Sequence, residues 1–194
     1  MRIEEDTKLD YKDVLIRPKR STLRSRKEVD LNRQFTFRNY TPEPMSVEHI
    51  KEDTRGHYNG IPVMAANMDG VGTFEMADAL AKEDLFTCLV KTYSVKELIS
   101  FFDCADFQLR ETRRNHVAYS MGISGDDWNK FRAVYEQAPE IKYVCIDVAN
   151  GYSNRFRDFV SEMRNTYENI VIIAGNVVTG EMTEELILAG ADIV

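Results

Sequence analysis

Residues 143–178 read YVCIDVANGYSNRFRDFVSEMRNTYENIVIIAGNVV, and this stretch decides the fold. Its ends, YVCIDVA (143–149) and IVIIAGNVV (170–178), are short runs that are apolar at nearly every position. Such runs suit strands buried on both faces, as in a parallel sheet. Between them Phe156, Phe159, Val160 and Met163 fall at helical spacing, giving one apolar stripe. Strand, amphipathic helix and strand together make a βαβ unit.

The same texture extends in both directions. Further apolar runs are PVMAANM (62–68), LFTCLVK (85–91), HVAYSMG (116–122) and the terminal ADIV (191–194). Helix ends are legible between them. Thr73 can cap TFEMADALAKE, whose Phe74, Ala77 and Ala81 share a face, and Ser94 with Glu97 predicts a capping box. Gly190 stands where GEMTEELILAG needs a C-terminal glycine. Strands begin roughly every 22–31 residues, close to the ~30 per unit of a (β/α)8, or TIM, barrel. The expectation is an α/β chain holding five βα units of such a barrel and the start of a sixth. Residues 1–60 read as a preamble with a basic arm, Arg17 to Lys27, followed by a loop over 41–60 with one helical turn in SVEHIKE. Residues 61–194 read as the first part of the barrel, truncated in its sixth strand at Val194.

Composition narrows the class. The chain has 194 residues, 43% hydrophobic and 29% charged, enough to fill one core. Its net charge of −7 disfavours nonspecific nucleic-acid binding. No apolar run approaches the ~20 residues of a membrane span, and the charged N-terminus lacks a signal-peptide core. The odd number of cysteines (Cys88, Cys104 and Cys145) argues against a disulfide framework. With His49, His57 and His116 they form no zinc-ligand spacing. The reading is a soluble protein of a reducing compartment, without a structural metal.

In a barrel, chemistry collects at the C-terminal ends of the strands. The runs end there in Asn67 and Asp69, Lys91, Ser120, Asp147 and Asn150, and Asn176. For Asn67, Asp69 and Asn176, helix capping weighs evenly with function. Asp147 is flanked by apolar residues and needs a partner, and Lys91 on a nearby strand could form a buried pair with it. Function is favoured over a structural ion pair. Gly70-Val71-Gly72 follows a strand, but a dinucleotide-binding turn would need glycine where Glu75 stands. His116 reads as structural, and Cys88 and Cys145 as inert apolar side chains in strand interiors.

Four segments carry a family resemblance: LDYKDVLIRPKRSTLRSR (9–26), GIPVMAANMDGVGTFEMA (60–77), CIDVANGY (145–152) and AGNVVTGEMTEELILAGADIV (174–194). Together they resemble guanosine 5′-monophosphate (GMP) reductase, of the family that also holds inosine monophosphate (IMP) dehydrogenase. The dehydrogenase typically carries regulatory domains after the second strand. Here about 25 residues separate Lys91 from the next strand, too few for a domain.

The resemblance implies NADPH-dependent deamination of GMP to IMP and ammonia on a (β/α)8 barrel, in a cytoplasmic homotetramer dependent on a monovalent cation, potassium. It implies a cysteine nucleophile in a GPGSVCTTR loop after the sixth strand. None of Cys88, Cys104 and Cys145 matches that position, and no cation site falls in this chain. Lys91 matches the lysine of the family's HKHYS motif, and Asp147, Val148 and Ala149 match its DVA segment. The resemblance gives Lys91 and Asp147 catalytic roles and places them with Val148 and Ala149 beside the cofactor. Ser25 and Arg26 match an SR pair that reaches the NADPH of a neighbouring subunit. The motifs depart from the family at Val90 and Thr92, where it has histidines, and at Gly70, where it has threonine; a serine-, threonine- and glycine-rich turn reads SMGISGDD. An alternative stays open: an inactive nucleotide-binding relative, or a truncated form acting as an assembly partner.

Overall fold

Burial on both faces is what the apolar runs require, and the computed structural model meets it with one parallel sheet. The model describes residue 7, residues 9–40 and residues 56–194. Residues 41–55, including the turn expected in SVEHIKE, lie outside the described residues. The chain divides into two units, Met1–Asp30 and Leu31–Val194.

In the second unit the described strands are β1 (Arg33–Thr36), β2 (His57–Gly60), β3 (Met64–Ala65), β4 (Phe86–Cys88), β5 (Val117–Met121), β6 (Tyr143–Asp147) and β7 (Val171–Gly175). Strands β3 to β7 lie side by side in chain order, every neighbouring pair parallel. Beyond them Ile193 bridges in parallel to Ile173, so the terminal ADIV run begins to pair with β7. The result is a half-barrel sheet, the arrangement of part of a (β/α)8 barrel.

The helices are α1 (Phe74–Ala81), α2 (Val95–Phe102), α3 (Phe107–His116), α4 (Gly125–Tyr135), α5 (Asn154–Thr166) and α6 (Gly180–Leu188). Their starts follow the expected chemistry. Thr73 accepts from the Met76 amide, and Ser94 and Glu97 form a reciprocal capping box. Ser124 with Asp127 forms a second one. Gly190, at φ +108°, follows the end of α6 in a conformation suited to glycine.

Period-two alternation sorts the strand side chains between two cores. Tyr119, Met121, Val144, Ile146, Ile172 and Ala174 pack with the helices, including Phe131, Phe156, Val160 and Leu186. Phe86, Cys88, Ala118, Tyr143, Cys145, Val171 and Ile173 face the concave side. Each fully buried Ile or Phe stabilises the fold by about 1.5–3 kcal/mol.

The structure departs from the sequence reading in three places. Residues 57–60, read as the end of a loop, form β2, which pairs antiparallel with β1. Its HYNG sequence has no apolar alternation; Tyr58 fastens it instead, stacking edge-on against Phe86. His116 does not open a strand but ends α3. That helix went unread because its buried residues are Arg113 and His116, not an apolar stripe.

The first unit holds two single turns of 3-10 helix, Tyr11–Asp13 and Arg26–Glu28. Ser25 caps the second, its hydroxyl accepting from the Lys27 amide at 3.2 Å.

Candidate active site

The site grows from the C-terminal ends of the parallel strands. Asp147 is the last residue of β6, and in register it lies opposite Gly175 on β7. Its half-buried carboxylate accepts a 3.1 Å hydrogen bond from Asn67 Nδ2, beyond the end of β3. Strands β4 and β5 lie between β3 and β6 in the sheet, so this bond spans the concave face. Asn67 therefore does not cap a helix, and neither do Asp69 or Asn176; Thr73 and Thr179 take those places.

Lys91 follows β4 and is exposed. Its backbone is held from two sides. Val90 donates to the Gly72 carbonyl at 2.8 Å, and the Lys130 ammonium donates to the Lys91 carbonyl at 2.7 Å. Gly72 must be a glycine here, because a Cβ would come within 2.4 Å of the Cys88 carbonyl oxygen. The buried Lys91–Asp147 ion pair raised by the sequence is not formed: among the described residues Lys91 makes no salt bridge, and Asp147 turns to Asn67. Both charges are felt at Cys145, with opposite signs.

The remaining residues of the sequence reading separate. Val148 donates its amide to the Gly175 carbonyl at 3.0 Å, while its side chain packs into the strand–helix core. What Val148 offers a ligand is backbone, and Ala149 beside it is exposed. Ser25 and Arg26 are both exposed and belong to the first unit. Ser120 is buried on β5 and bears on the Cys145 thiol.

Sequence reasoning missed the thiols. Cys88 and Cys145 both face the concave side, where the Cys88 thiol donates to Met64 Sδ at 3.3 Å. The bond from Cys88 lowers the Cys145 pKa, Ser120 and the Lys91 charge act the same way, and burial and Asp147 oppose them. Cys88 is pushed up correspondingly by its hydrogen bond to Cys145 and by burial. The signal was the recurrence of cysteine at one depth on alternate strands.

At the opposite, N-terminal end of the strands is an apolar cavity of about 390 Å³ lined by Phe35, Phe37, Tyr58, Val63, Phe86 and Tyr143. Asp192 also borders it, its carboxylate accepting from Arg164 Nη2 at 2.6 Å.

Residues 8–194 match the IMP dehydrogenase / GMP reductase domain. The chain belongs to that family. It is 50% identical over 193 residues to GMP reductase of Caenorhabditis elegans, covering 100% of this chain and 49% of that protein. To GMP reductase of Citrobacter koseri it is 51% identical over 194 residues, covering 100% and 51%. Human GMP reductase 2 is 47% identical over 196 residues, covering 99% and 50%. The chain thus spans about half the length of these curated relatives. Family membership agrees with the half-barrel sheet and with the polar strand ends that hold Lys91 and Asp147. No helix among the described residues is long and apolar enough to cross a membrane.

Proposed function

We propose that the protein is a GMP reductase, converting GMP to IMP and ammonia with NADPH as reductant. The observation that supports this most directly is the occurrence of exposed Lys91 and the Asn67-held Asp147 at the C-terminal end of the sheet.

The residues present fit a nicotinamide cofactor. Lys91 makes no salt bridge among the described residues, although its charge is felt at Asp127, and Gly175, opposite Asp147, borders open space in which an added Cβ would meet nothing within 4 Å. A flat ring can lie there against backbone. In this reading Asp147, Val148 and Ala149 line the nicotinamide side, and Ser25 and Arg26 reach the cofactor of a neighbouring subunit in a homotetramer. An arginine fork suits a phosphorylated cofactor.

When bound, the cofactor supplies the hydride that reduces C2 of the purine. The chain's own residues handle protons. An aromatic amine leaves only if protonated, and in this reading Lys91 holds that proton as a general acid. Asp147, oriented by Asn67, takes part in the same transfer. The covalent step belongs to a cysteine in the family's loop after the sixth strand, and the family's potassium site also falls outside this chain; Cys88, Cys104 and Cys145 are not that cysteine. The enzyme works in the cytoplasm.

Val90 and Thr92, standing where the family has histidines, favour one second reading: a relative that binds the nucleotide without turning it over. Assay of the protein carrying the cysteine loop separates the two. NADPH oxidation that depends on GMP and yields IMP supports the reductase. GMP binding without oxidation supports the second reading and overturns the first.

A further inference from the structure

Lys91 stands where the backbone ladder of β4 runs out, and a side chain takes over the holding of its peptide. The Leu89 amide donates to the Ala118 carbonyl of β5 at 3.0 Å, and the Val90 amide to the Gly72 carbonyl at 2.8 Å. At the next residue the donor changes kind. Lys130 Nζ, from α4, reaches the Lys91 carbonyl oxygen at 2.7 Å. Beyond Lys91 the chain is fixed again, by Tyr93 stacked on Phe74 with ring centroids 3.8 Å apart and by the Ser94–Glu97 capping box. Strands β4 and β5 have β3 on one side and β6 on the other, so this contact sits within the sheet and not at its border.

The surroundings distinguish this bond from a surface lysine resting on a nearby carbonyl. Lys130 is half-buried, and burial works against its charge. The charges of Asp127 and Glu97 work the other way and favour the ammonium. Both of these acids are engaged by helix caps. Asp127 Oδ2 accepts from the Ser124 amide at 3.0 Å and from its hydroxyl at 2.6 Å, and Glu97 Oε2 accepts from the Ser94 amide at 2.7 Å. Among the described residues Lys130 makes no salt bridge. The ammonium therefore keeps its charge and directs a donor at the Lys91 carbonyl. A hydrogen bond from a charged donor is roughly twice as strong as one between neutral groups.

We propose that Lys130 is the positioning residue of Lys91, fixing the backbone from which the Lys91 side chain reaches a bound ligand. This rests on the reading of Lys91 as the proton-holding group of the proposed reaction. Lys130 itself touches neither substrate nor cofactor in it. A lysine side chain is a flexible stem, and a peptide left free at its root would widen the range its ammonium samples. A misplacement of about 1 Å at a reacting group can cost roughly 10²-fold in rate. Anchoring the Lys91 carbonyl from α4 restrains the peptide that follows Lys91 and leaves the ammonium open to a ligand.

The test uses protein carrying the cysteine loop, with steady-state kinetics and hydrogen–deuterium exchange read side by side. Lys130→Met keeps the apolar stem and removes the donor. It should lower kcat roughly 10–100-fold. KM for GMP should stay within about twofold, since no ground-state contact is lost. Added to Lys91→Ala, the same substitution should cost less than about twofold more, because the anchor then has no ammonium to place. Backbone amides of residues 89–92 should exchange about tenfold faster in Lys130→Met, while those of α5 keep their rates and report an intact fold. Unchanged exchange at 89–92 overturns the proposal. So does an equal loss of kcat on removing Lys130 with and without Lys91, which would show that Lys130 acts on its own. The reductase reading fails separately, in wild-type protein that leaves NADPH unoxidised with GMP or in Lys91→Ala that turns over normally. Exchange at 89–92 then still decides whether Lys130 holds the Lys91 backbone.

Discussion

Asn67 Nδ2 donates to Asp147 Oδ2 at 3.1 Å, joining residues 80 apart in sequence across the concave face of the sheet. The carboxylate at the end of β6 is thereby aimed by the loop after β3. Asp147 thus has a donor without an ion pair to Lys91, which remains exposed to meet a ligand.

Removing either charge should therefore touch chemistry more than folding. In protein carrying the cysteine loop, Lys91→Ala and Asp147→Ala are each expected to lower kcat by about 10²–10⁴, the range for lost acid–base groups. Their urea midpoints should move little, because Lys91 makes no ion pair among the described residues. Asn67→Leu should lower kcat less than Asp147→Ala, since it frees the carboxylate without deleting it. Large losses of stability with near-normal turnover would instead mark the three as structural. Steady-state kinetics beside urea unfolding decide this.

The parallel sheet was legible because both faces of β5, β6 and β7 are buried, which forces unbroken apolar runs. Thr73, Ser94 with Glu97, and Gly190 were legible because caps answer to local backbone needs. Helix α3 was not, because its inner face is built from Arg113, and an arginine in a sequence reads as solvent-facing. Lys91 and Asp147 stood out as charges among apolar residues. Their partners did not: which strand ends meet depends on sheet curvature, so the Asn67 bond cannot be read from spacing. Cys88 and Cys145 look apolar in a string and become chemically distinct only when their layer is assembled.

Gly190 is predicted to be the most sensitive glycine in the α6 turn. At φ +108° an added Cβ would lie 2.7 Å from Arg164 Cγ. Arg164 is pinned there, donating to Asp192 Oδ2 at 2.6 Å and to the Gly190 carbonyl at 3.1 Å. Gly190→Ala adds backbone strain of about 1–2 kcal/mol to the cost of moving that side chain. A lower urea midpoint at an unchanged m-value is the expected result.

His116 should give the fold a pH dependence. Burial lowers its pKa, the Lys142 charge acts the same way, and Asp84 only partly offsets them. The neutral ring is thus favoured in the folded state, while the unfolded chain protonates near pH ~6.5. Stability is full above that pH and is lost as pH falls through the folded value, because below ~6.5 the unfolded state binds the extra proton. His116→Gln should flatten the fall in unfolding free energy between pH 7 and 5. An equally steep profile in the variant would assign the dependence to other groups.

Arg113 and Asp78 make an asymmetric prediction. The guanidinium stacks 3.9 Å from the Phe101 ring centroid, donates to both Asp78 oxygens at 2.7 Å, and donates again to the Phe101 carbonyl. Its side chain is 11% exposed, against 29% for Asp78. Deleting the carboxylate strands a charge that cannot reach water, whereas deleting the guanidinium leaves a carboxylate that can. Asp78→Ala should therefore cost about 3–5 kcal/mol, the usual penalty for an uncompensated buried charge. Arg113→Met, which keeps the packing on Phe101, should cost less, and the double variant should recover part of the Asp78→Ala loss. Arg113→Lys will not rescue the site, since an ammonium cannot make the two-pronged bond. Urea denaturation of the four proteins of the cycle measures the coupling directly; equal losses for the two single variants would mean that burial does not decide which partner matters.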